Sequence, residues 1–245
     1  MTKPGFLTSL LPWLCLPVLV FQGRAVRAKT IRMVPPPGPL TGKINGKGET
    51  LRLLVMGDSS AAGVGADHTS ECLGPLIAAN LHVATGQPVI WRKAGSNSAI
   101  ASDLRDHVVP HLPPDQWTHI LITVGTNDAK NFVTIRSFKK GFGGLIYALK
   151  AKFPDARIVW SPIIDMEKMP TLTPFLARML NVRARLINSV GADLCTERYA
   201  TAADPLPISI GNGFAADGFH ANAAAYKVWA DHVMTWLNPH PIESK

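Results

Sequence analysis

Apolar runs and helical patterns alternate along the chain from residue 51 onward. Four apolar runs are each followed by a glycine or a proline and predict buried strands: Leu51–Met56, Val89–Ala94, His119–Val124 and Arg157–Ser161. Apolar residues at helical spacing predict helices over residues 73–85, 142–153, 176–190 and 225–236. Buried strands that alternate with helices are typical of a parallel sheet covered on both faces. The pattern therefore predicts an α/β fold with its site at the carboxyl ends of the strands.

The N-terminal region has a different pattern. Residues 6–21 form an uncharged apolar run, interrupted by Pro12 and Pro17, and a Val-Arg-Ala sequence ends at Ala28. As a helix rising about 1.5 Å per residue, this run is shorter than the roughly 30 Å hydrocarbon core of a bilayer. Residues 1–28 are thus predicted to be either a cleaved signal peptide or a retained membrane anchor, and a buried core helix is the less favoured alternative.

The rest of the chain divides by composition. Residues 29–50 are basic and rich in proline and glycine, which predicts a tether. The folded domain is predicted over residues 51–238, with a short tail at 239–245.

The positive charge lies almost entirely before this domain. Residues 1–49 hold seven basic and one acidic side chain, whereas the rest holds 18 basic and 16 acidic ones. A nearly neutral domain disfavours nucleic acid as a partner, and a basic segment beside an apolar run favours anionic lipid head groups. We expect a membrane-associated or exported protein, with the side of the membrane left open.

Cysteine and histidine content excludes several kinds of site. Three cysteines exclude a disulfide scaffold and a four-cysteine zinc site. Cys72 and Cys195 could pair in an exported domain or remain two free thiols. The histidines show no metal-ligand spacing, so neither a metal nor a cofactor is expected.

Three polar blocks follow strands or precede the last helix. The sequence GDSS begins at Gly57, GTND begins at Gly125, and DGFH begins at Asp217. A serine hydroxyl needs an adjacent base, and a neutral imidazole oriented by a carboxylate can provide one. Ser59 lies directly after the first strand, and Asp217 precedes His220 by three residues across a glycine-containing turn. These residue types and spacings favour nucleophilic acyl transfer.

The three blocks, in this order, resemble those of the SGNH (GDSL-type) hydrolases, and most of all the compact bacterial members of the esterase-type branch. The resemblance covers about residues 51–237. It implies a flavodoxin-like three-layer α/β/α sandwich with a parallel sheet of about five strands. It also implies a serine hydrolase that cleaves carboxylic esters or thioesters through an acyl-enzyme, with Ser59 as nucleophile, His220 as base and Asp217 as the orienting acid.

The family's oxyanion hole implies three hydrogen-bond donors. Two of them map onto the backbone N–H of Ser59 and the side chain of Asn127. The block that supplies the third departs from the family pattern. Alignment on the downstream Asp103 places the family's glycine at Ser98, and a looser match places it at Gly95. Serine lacks the freedom of glycine at positive φ, so Ser98 predicts a reshaped hole.

Two apolar loops, residues 129–138 and 163–175, predict a pocket for the acyl or alkyl group of a small ester substrate. Phe132, Met166 and Met169 are the candidate substrate contacts, and flexible methionine side chains favour several substrate shapes. Asp58 and Asp128 are interpreted as turn or cap residues. Two other functions remain open: an envelope glycan acyltransferase or deacetylase, and a non-catalytic flavodoxin-like binding module.

Overall fold

The computed structural model describes residues 4–114, 116–207 and 213–238. Its strands are β1 Thr41–Ile44, β2 Leu51–Gly57, β3 Val89–Gly95, β4 His119–Thr123, β5 Arg157–Trp160 and β6 Thr201–Ala202. Its α-helices are α1 Phe6–Leu14, α2 Leu16–Lys29, α3 Ser59–Ala62, α4 Leu73–Thr85, α5 Ala101–Asp103, α6 Thr126–Lys130, α7 Ile135–Lys152, α8 Pro174–Glu197 and α9 Ala223–Leu237.

The six strands form one sheet in the order β1-β3-β2-β4-β5-β6. All neighbouring pairs are parallel except β1 with β3. The predicted α/β fold and its four central strands are confirmed. The two additional strands lie at the edges: β1 falls within the predicted tether, and β6 has two residues. Neither strand has a continuous apolar run, because edge strands are only half covered.

Helices cover both faces of the sheet. Along β2, Leu54 and Met56 join a core formed largely with α7 and α8. Leu53 and Val55 point to the opposite face and join a core formed with α4 and α9. This alternation produces the three layers of the sandwich and leaves the carboxyl ends of the strands clear for a site.

The N-terminal apolar run forms two helices that pack against the domain. α1 and α2 meet at Cys15 with a bend of 61°, and Pro17 lies in the first turn of α2, where a missing N–H is tolerated. Leu19 is buried and belongs to the same core as α7 and α8. No single described helix has both the length and the apolarity to cross a membrane, whereas the bent pair passes that test when its helices are taken together.

Candidate active site

The end of β2 places Ser59 at the carboxyl edge of the sheet. A Cβ on Gly57 would lie 2.2 Å from the carbonyl oxygen of Thr123, so only glycine allows β2 and β4 to approach this closely. Asp58 caps α3, as predicted, because its carboxylate accepts hydrogen bonds from the backbone N–H and the hydroxyl of Ser60. Ser59 is therefore the first helical residue after a strand end.

Ser59, His220 and Asp217 form one hydrogen-bonded chain. The Nε2 atom of His220 lies 2.9 Å from the Oγ of Ser59, and its Nδ1 lies 2.5 Å from a carboxylate oxygen of Asp217. The turn itself holds Asp217, since the other carboxylate oxygen accepts the backbone N–H groups of Phe219 and His220. The structure thus brings together three residues that are up to 161 positions apart in sequence.

The charge of Asp217 determines which histidine nitrogen carries the proton. Burial alone would raise the pKa of Asp217, but hydrogen bonds from the side chain and backbone of His220 and from Phe219 together lower it. An ionised carboxylate only accepts hydrogen bonds, so Nδ1 of His220 donates to it. The Nε2 lone pair of His220 then faces the hydroxyl of Ser59, which is the arrangement a general base requires.

Ser98 lies in the conformation that glycine favours. Its φ of 65° is left-handed, and it lines the same cleft as Ser59 and Asn127. Within the described residues, neither the backbone N–H of Ser59 nor that of Ser98 donates a hydrogen bond. Gly95 has a packing role instead, because a Cβ there would lie 2.1 Å from the backbone nitrogen of Ala62. This geometry favours Ser98 over Gly95 as the third of the expected oxyanion donors.

Asn127 is buried beside these donors. Its Nδ2 donates to the carbonyl oxygen of Ala99 at 3.1 Å and to Asp58 at 3.4 Å. The second hydrogen bond is long and therefore weak. The Nδ2–H that points to Asp58 is thus the one that Asn127 can instead donate to another acceptor in the cleft.

Two buried carboxyl groups support this arrangement. Burial raises the pKa of Asp58, while the hydrogen bonds from Ser60 and the charges of His220 and Lys130 offset part of that increase. Burial also raises the pKa of Asp128 to about 7. Asp128 accepts the backbone N–H of Ala101, so it ties α6 to α5 rather than serving only as a local cap. A cap residue and a buried bridge look alike in sequence, because burial depends on the tertiary fold.

Two cavities meet at Ser59 and His220. The first, called the inner pocket, has a volume of about 90 Å³ and is lined by Val124, Pro162, Ile163, Met169, Leu206 and Trp229. The second, called the wide cleft, has a volume of about 530 Å³ and lies between α2 and the loops after β3 and β4. α2 and Thr30, which follows it, line one side of the wide cleft, and Phe132 and Leu172 line it from the domain.

The three candidate substrate contacts lie in different places. Met169 lines the inner pocket and Phe132 lines the wide cleft, whereas Met166 is buried in the core and lines neither. Sequence reasoning did not identify α2 as a wall of the site, because the run at 6–21 has the composition of a leader. Lys130 was also not identified, and only its position two residues after Asp128 could have drawn attention to it.

The two cysteines of the domain lie apart from each other, on opposite faces of the sheet. Cys72 and Cys195 are both free and buried, and they belong to the cores on opposite faces of the sheet. Among the described residues, no group of histidine, cysteine and acidic side chains is arranged to hold a metal ion.

Sequence comparison identifies one family. The model of the GDSL-like lipase/acylhydrolase family matches residues 55–228. No curated protein sequence is significantly similar to this chain.

Several solved structures have a similar fold. TesA is 17% identical, with a TM-score of 0.63 over 77% of this chain and 98% of TesA. The family 3 carbohydrate esterase of Clostridium thermocellum is 14% identical, with a TM-score of 0.58 over 77% of this chain and 95% of the esterase. Phospholipase A1 of Streptomyces albidoflavus NA297 is 16% identical, with a TM-score of 0.54 over 79% of this chain and all of the phospholipase. At these identities, the likeness shows a shared fold.

Proposed function

The chain belongs to the GDSL-like lipase/acylhydrolase family and is a hydrolase that acts on ester bonds, and from this premise we propose that it is a serine esterase whose nucleophile is Ser59. The observation that carries the proposal is the hydrogen-bonded chain from Ser59 through His220 to Asp217. Family membership supports a hydrolase over a non-catalytic binding module.

The proposed reaction has two halves. Nε2 of His220 takes the hydroxyl proton of Ser59 as Oγ attacks the ester carbonyl carbon. The tetrahedral intermediate then expels the alcohol, which receives that proton from His220, and an acyl-enzyme remains on Ser59. Water repeats the sequence, giving its proton to His220, and the acid leaves as the Ser59 hydroxyl is restored. Asp217 stays ionised and stabilises the imidazolium in both halves.

The negative charge on the intermediate's oxygen needs donors. We assign these to the backbone N–H groups of Ser59 and Ser98 and to Nδ2 of Asn127. Support comes from the two backbone donors that lack an acceptor among the described residues, and from the long bond between Asn127 and Asp58. Removing one oxyanion donor typically lowers kcat by about 10²–10³.

The two cavities support a division of the substrate at the scissile bond. The inner pocket is small and largely apolar, which suits a short acyl group. The wide cleft is several times larger, which suits the alcohol part. We therefore propose esters of short acyl groups, and thioesters of the same shape, as substrates.

We also propose that the N-terminal helices bind a membrane surface. Phe6, Leu14 and Phe21 are 79%, 77% and 74% exposed. Basic side chains at 24, 29 and 32 accompany these apolar ones. An exposed apolar surface flanked by basic residues suits a bilayer that contains anionic lipids.

Vesicle sedimentation tests this location. The full-length chain should sediment with vesicles that contain phosphatidylglycerol, and less at high salt. Replacing Phe6 and Phe21 by serine should weaken this, whereas Val83→Ser, an equally exposed site on α4, should not. Equal sedimentation with and without these vesicles would contradict surface binding.

Butyrate release from a neutral butyrate ester tests the enzymatic proposal. Ser59→Ala and His220→Ala should each lower kcat/KM by roughly 10³-fold or more. Ser60→Ala is the matched control, because the hydroxyl of Ser60 bonds to Asp58 and Thr123 rather than to His220. A Ser59→Ala variant that hydrolyses the ester as fast as the Ser60→Ala variant would overturn the role of Ser59.

A further inference from the structure

We propose that Arg27 and Lys130 form an anion-binding subsite in the wide cleft, and that the alcohol part of the substrate carries a phosphate-type or carboxylate-type group. This inference rests on the proposed function and adds a substrate class to it. It also makes the N-terminal helices part of the substrate site.

One face of α2 lines the cleft. The residues of α2 that line it are Leu19, Val20, Gly23, Arg24, Val26 and Arg27, followed by Thr30 at the helix end, whereas Lys29 does not line it. Residues three and four positions apart share a helix face, so these residues form one continuous surface that lines the cleft. Arg27 is therefore on the substrate side of α2, and Lys29 provides a natural comparison on the same helix.

Lys130 lines the cleft from the domain, and its Nζ lies 5.5 Å from the ring centre of Phe219. It ends α6, three residues after Asn127, and lines the same cleft. Loss of surrounding water is the main cause that lowers the pKa of Lys130; the charge of Asp58 raises it, and the charge of Arg27 lowers it. Lys130 is thus close both to the catalytic centre and to a second cation.

The charges in the cleft are unbalanced. Its basic residues are Arg24, Arg27, Arg32 and Lys130, and its one acidic residue among the described positions is Asp217, which is hydrogen-bonded to His220. Within the described part of the chain, neither Arg27 nor Lys130 has an ion-pair partner. Cations held near one another repel, and a bound anion removes that repulsion.

The position of the two N-terminal helices is held by a stack on α1 and a hydrogen bond on α2. The guanidinium of Arg183 lies 4.9 Å from the ring centre of Trp13 in α1 and 4.4 Å from that of Phe132. Arg183 is 3% exposed and donates to the carbonyl oxygens of Ala129 and Val133, on either side of Lys130. A further hydrogen bond joins the hydroxyl of Thr173 to Gln22 of α2. The N-terminal helices and the Lys130 segment are therefore anchored to the same arginine.

The chemistry of the cleft wall adds an apolar component to the ligand. Leu19, Phe132, Leu172 and Leu176 lie beside the cations in the cleft. An alcohol with an alkyl segment and a terminal anion would contact both kinds of surface. Arginine suits phosphate and carboxylate groups because its planar donors can form two parallel hydrogen bonds.

The test compares matched esters with the full-length chain. Butyrate esters of straight-chain alcohols of several lengths are prepared. The far end of each alkyl chain carries a hydroxyl, a phosphate or a trimethylammonium group. At one chain length or more, kcat/KM for the phosphate-bearing ester should exceed kcat/KM for the hydroxyl-bearing ester by about tenfold. The trimethylammonium-bearing ester should have the lowest kcat/KM. The phosphate-to-hydroxyl ratio should decrease as salt is added.

Variants then assign the preference to its residues. Arg27→Gln and Lys130→Gln should each lower the phosphate-to-hydroxyl ratio by about five- to tenfold, and Arg27→Lys should lower it less, because lysine keeps the positive charge but not the paired donors. Lys29→Gln should leave the ratio unchanged. Binding of the corresponding alkyl phosphate to the Ser59→Ala chain, measured by calorimetry, should be lost on addition of Arg27→Gln.

The outcomes separate the two claims. Hydrolysis of the neutral ester without any preference for phosphate would overturn the subsite and leave the esterase standing. A ratio that falls equally in Lys29→Gln and Arg27→Gln would also overturn it, because general surface charge would then explain the preference. If no ester is hydrolysed, the esterase fails, and calorimetry alone decides the subsite: alkyl phosphate that binds equally with and without Arg27 contradicts it.

Discussion

At the scale of single residues, the site contains two kinds of departure from ordinary protein chemistry. Ser98 has a left-handed backbone without being glycine. Asp58 and Asp128 are carboxyl groups that burial makes harder to ionise. Ser98 is itself a proposed oxyanion donor, and Asp58 and Asp128 lie beside Asn127; strain and desolvation are commonly concentrated at such sites. Ser98 and Asp128 each have a measurable consequence for stability.

The protein should be more stable with glycine than with alanine at position 98. A left-handed conformation costs a non-glycine residue about 1–2 kcal/mol, and the flexibility of glycine in the unfolded chain offsets part of the gain. We expect Ser98→Gly to exceed Ser98→Ala by up to about 1 kcal/mol in the free energy of unfolding. At the exposed helical residue Ser137 the order should reverse, since alanine is favoured there. Finding alanine more stable at both positions would contradict the positive φ of Ser98.

Asp128 should make the protein less stable as the pH rises. Its pKa is near 7 in the folded chain and near 3.8 when unfolded, so the folded state binds the proton more tightly. Stability from this group is present at low pH and is lost as the pH rises towards 7, by an amount on the order of a few kcal/mol. Asp128→Asn retains an acceptor for Ala101 and should flatten this dependence in urea unfolding. The exposed Asp155→Asn serves as control, and equal profiles for the two variants would contradict the prediction.

At the scale of secondary-structure elements, the N-terminal helices are the part of the fold most dependent on a few contacts. α1 and α2 place few side chains in the core, namely Pro12 and Leu19. Their attachment depends on the stack of Trp13, Arg183 and Phe132. Edge-to-face aromatic pairs and cation–π contacts contribute roughly 0.5–2 kcal/mol each. Loss of one ring should therefore release the helices before the domain unfolds.

Trp13→Ala should expose α2 to trypsin. Cleavage after Arg24 and Arg27 should become roughly tenfold faster, while the melting temperature of the domain changes little, because local opening precedes global unfolding. Leu14→Ala is the matched control, since Leu14 is exposed on the same helix. Cleavage at equal rates in the two variants would show that the stack does not hold the helices. Cleavage after Arg27 would also separate Arg27 from the domain, which links this contact to the proposed subsite.

At the scale of the whole molecule, the sequence was sufficient for the central strands and for the hydrogen-bonded chain of Ser59, His220 and Asp217, but not for the walls of the site. The central strands, the helices on both faces and the strand-end blocks follow from local apolar patterns and turn chemistry. β1 and β6 are short edge strands, whose pairing depends on neighbours distant in sequence. The position of α1 and α2 over the active site likewise depends on Arg183, more than 150 residues away, and local composition indicated only a leader.

The conformation of Ser98 shows the same limit at one position. A serine where the family has glycine predicted a reshaped oxyanion hole. In the structure, Ser98 has the left-handed φ that glycine favours. Tertiary contacts can impose a left-handed residue when the surrounding turn is fixed. The sequence left Ser98 and Gly95 as alternative positions for the donor and did not predict the backbone geometry of either.

The most direct test of the central claim is covalent labelling of the folded, full-length chain with a fluorophosphonate, followed by peptide mass spectrometry. An activated serine displaces fluoride and forms a stable phosphonate ester on its Oγ. We predict one adduct, on Ser59, abolished by Ser59→Ala, strongly slowed by His220→Ala and retained in Ser60→Ala. An adduct on any other residue, or an unlabelled Ser59 in the folded protein, would contradict the account.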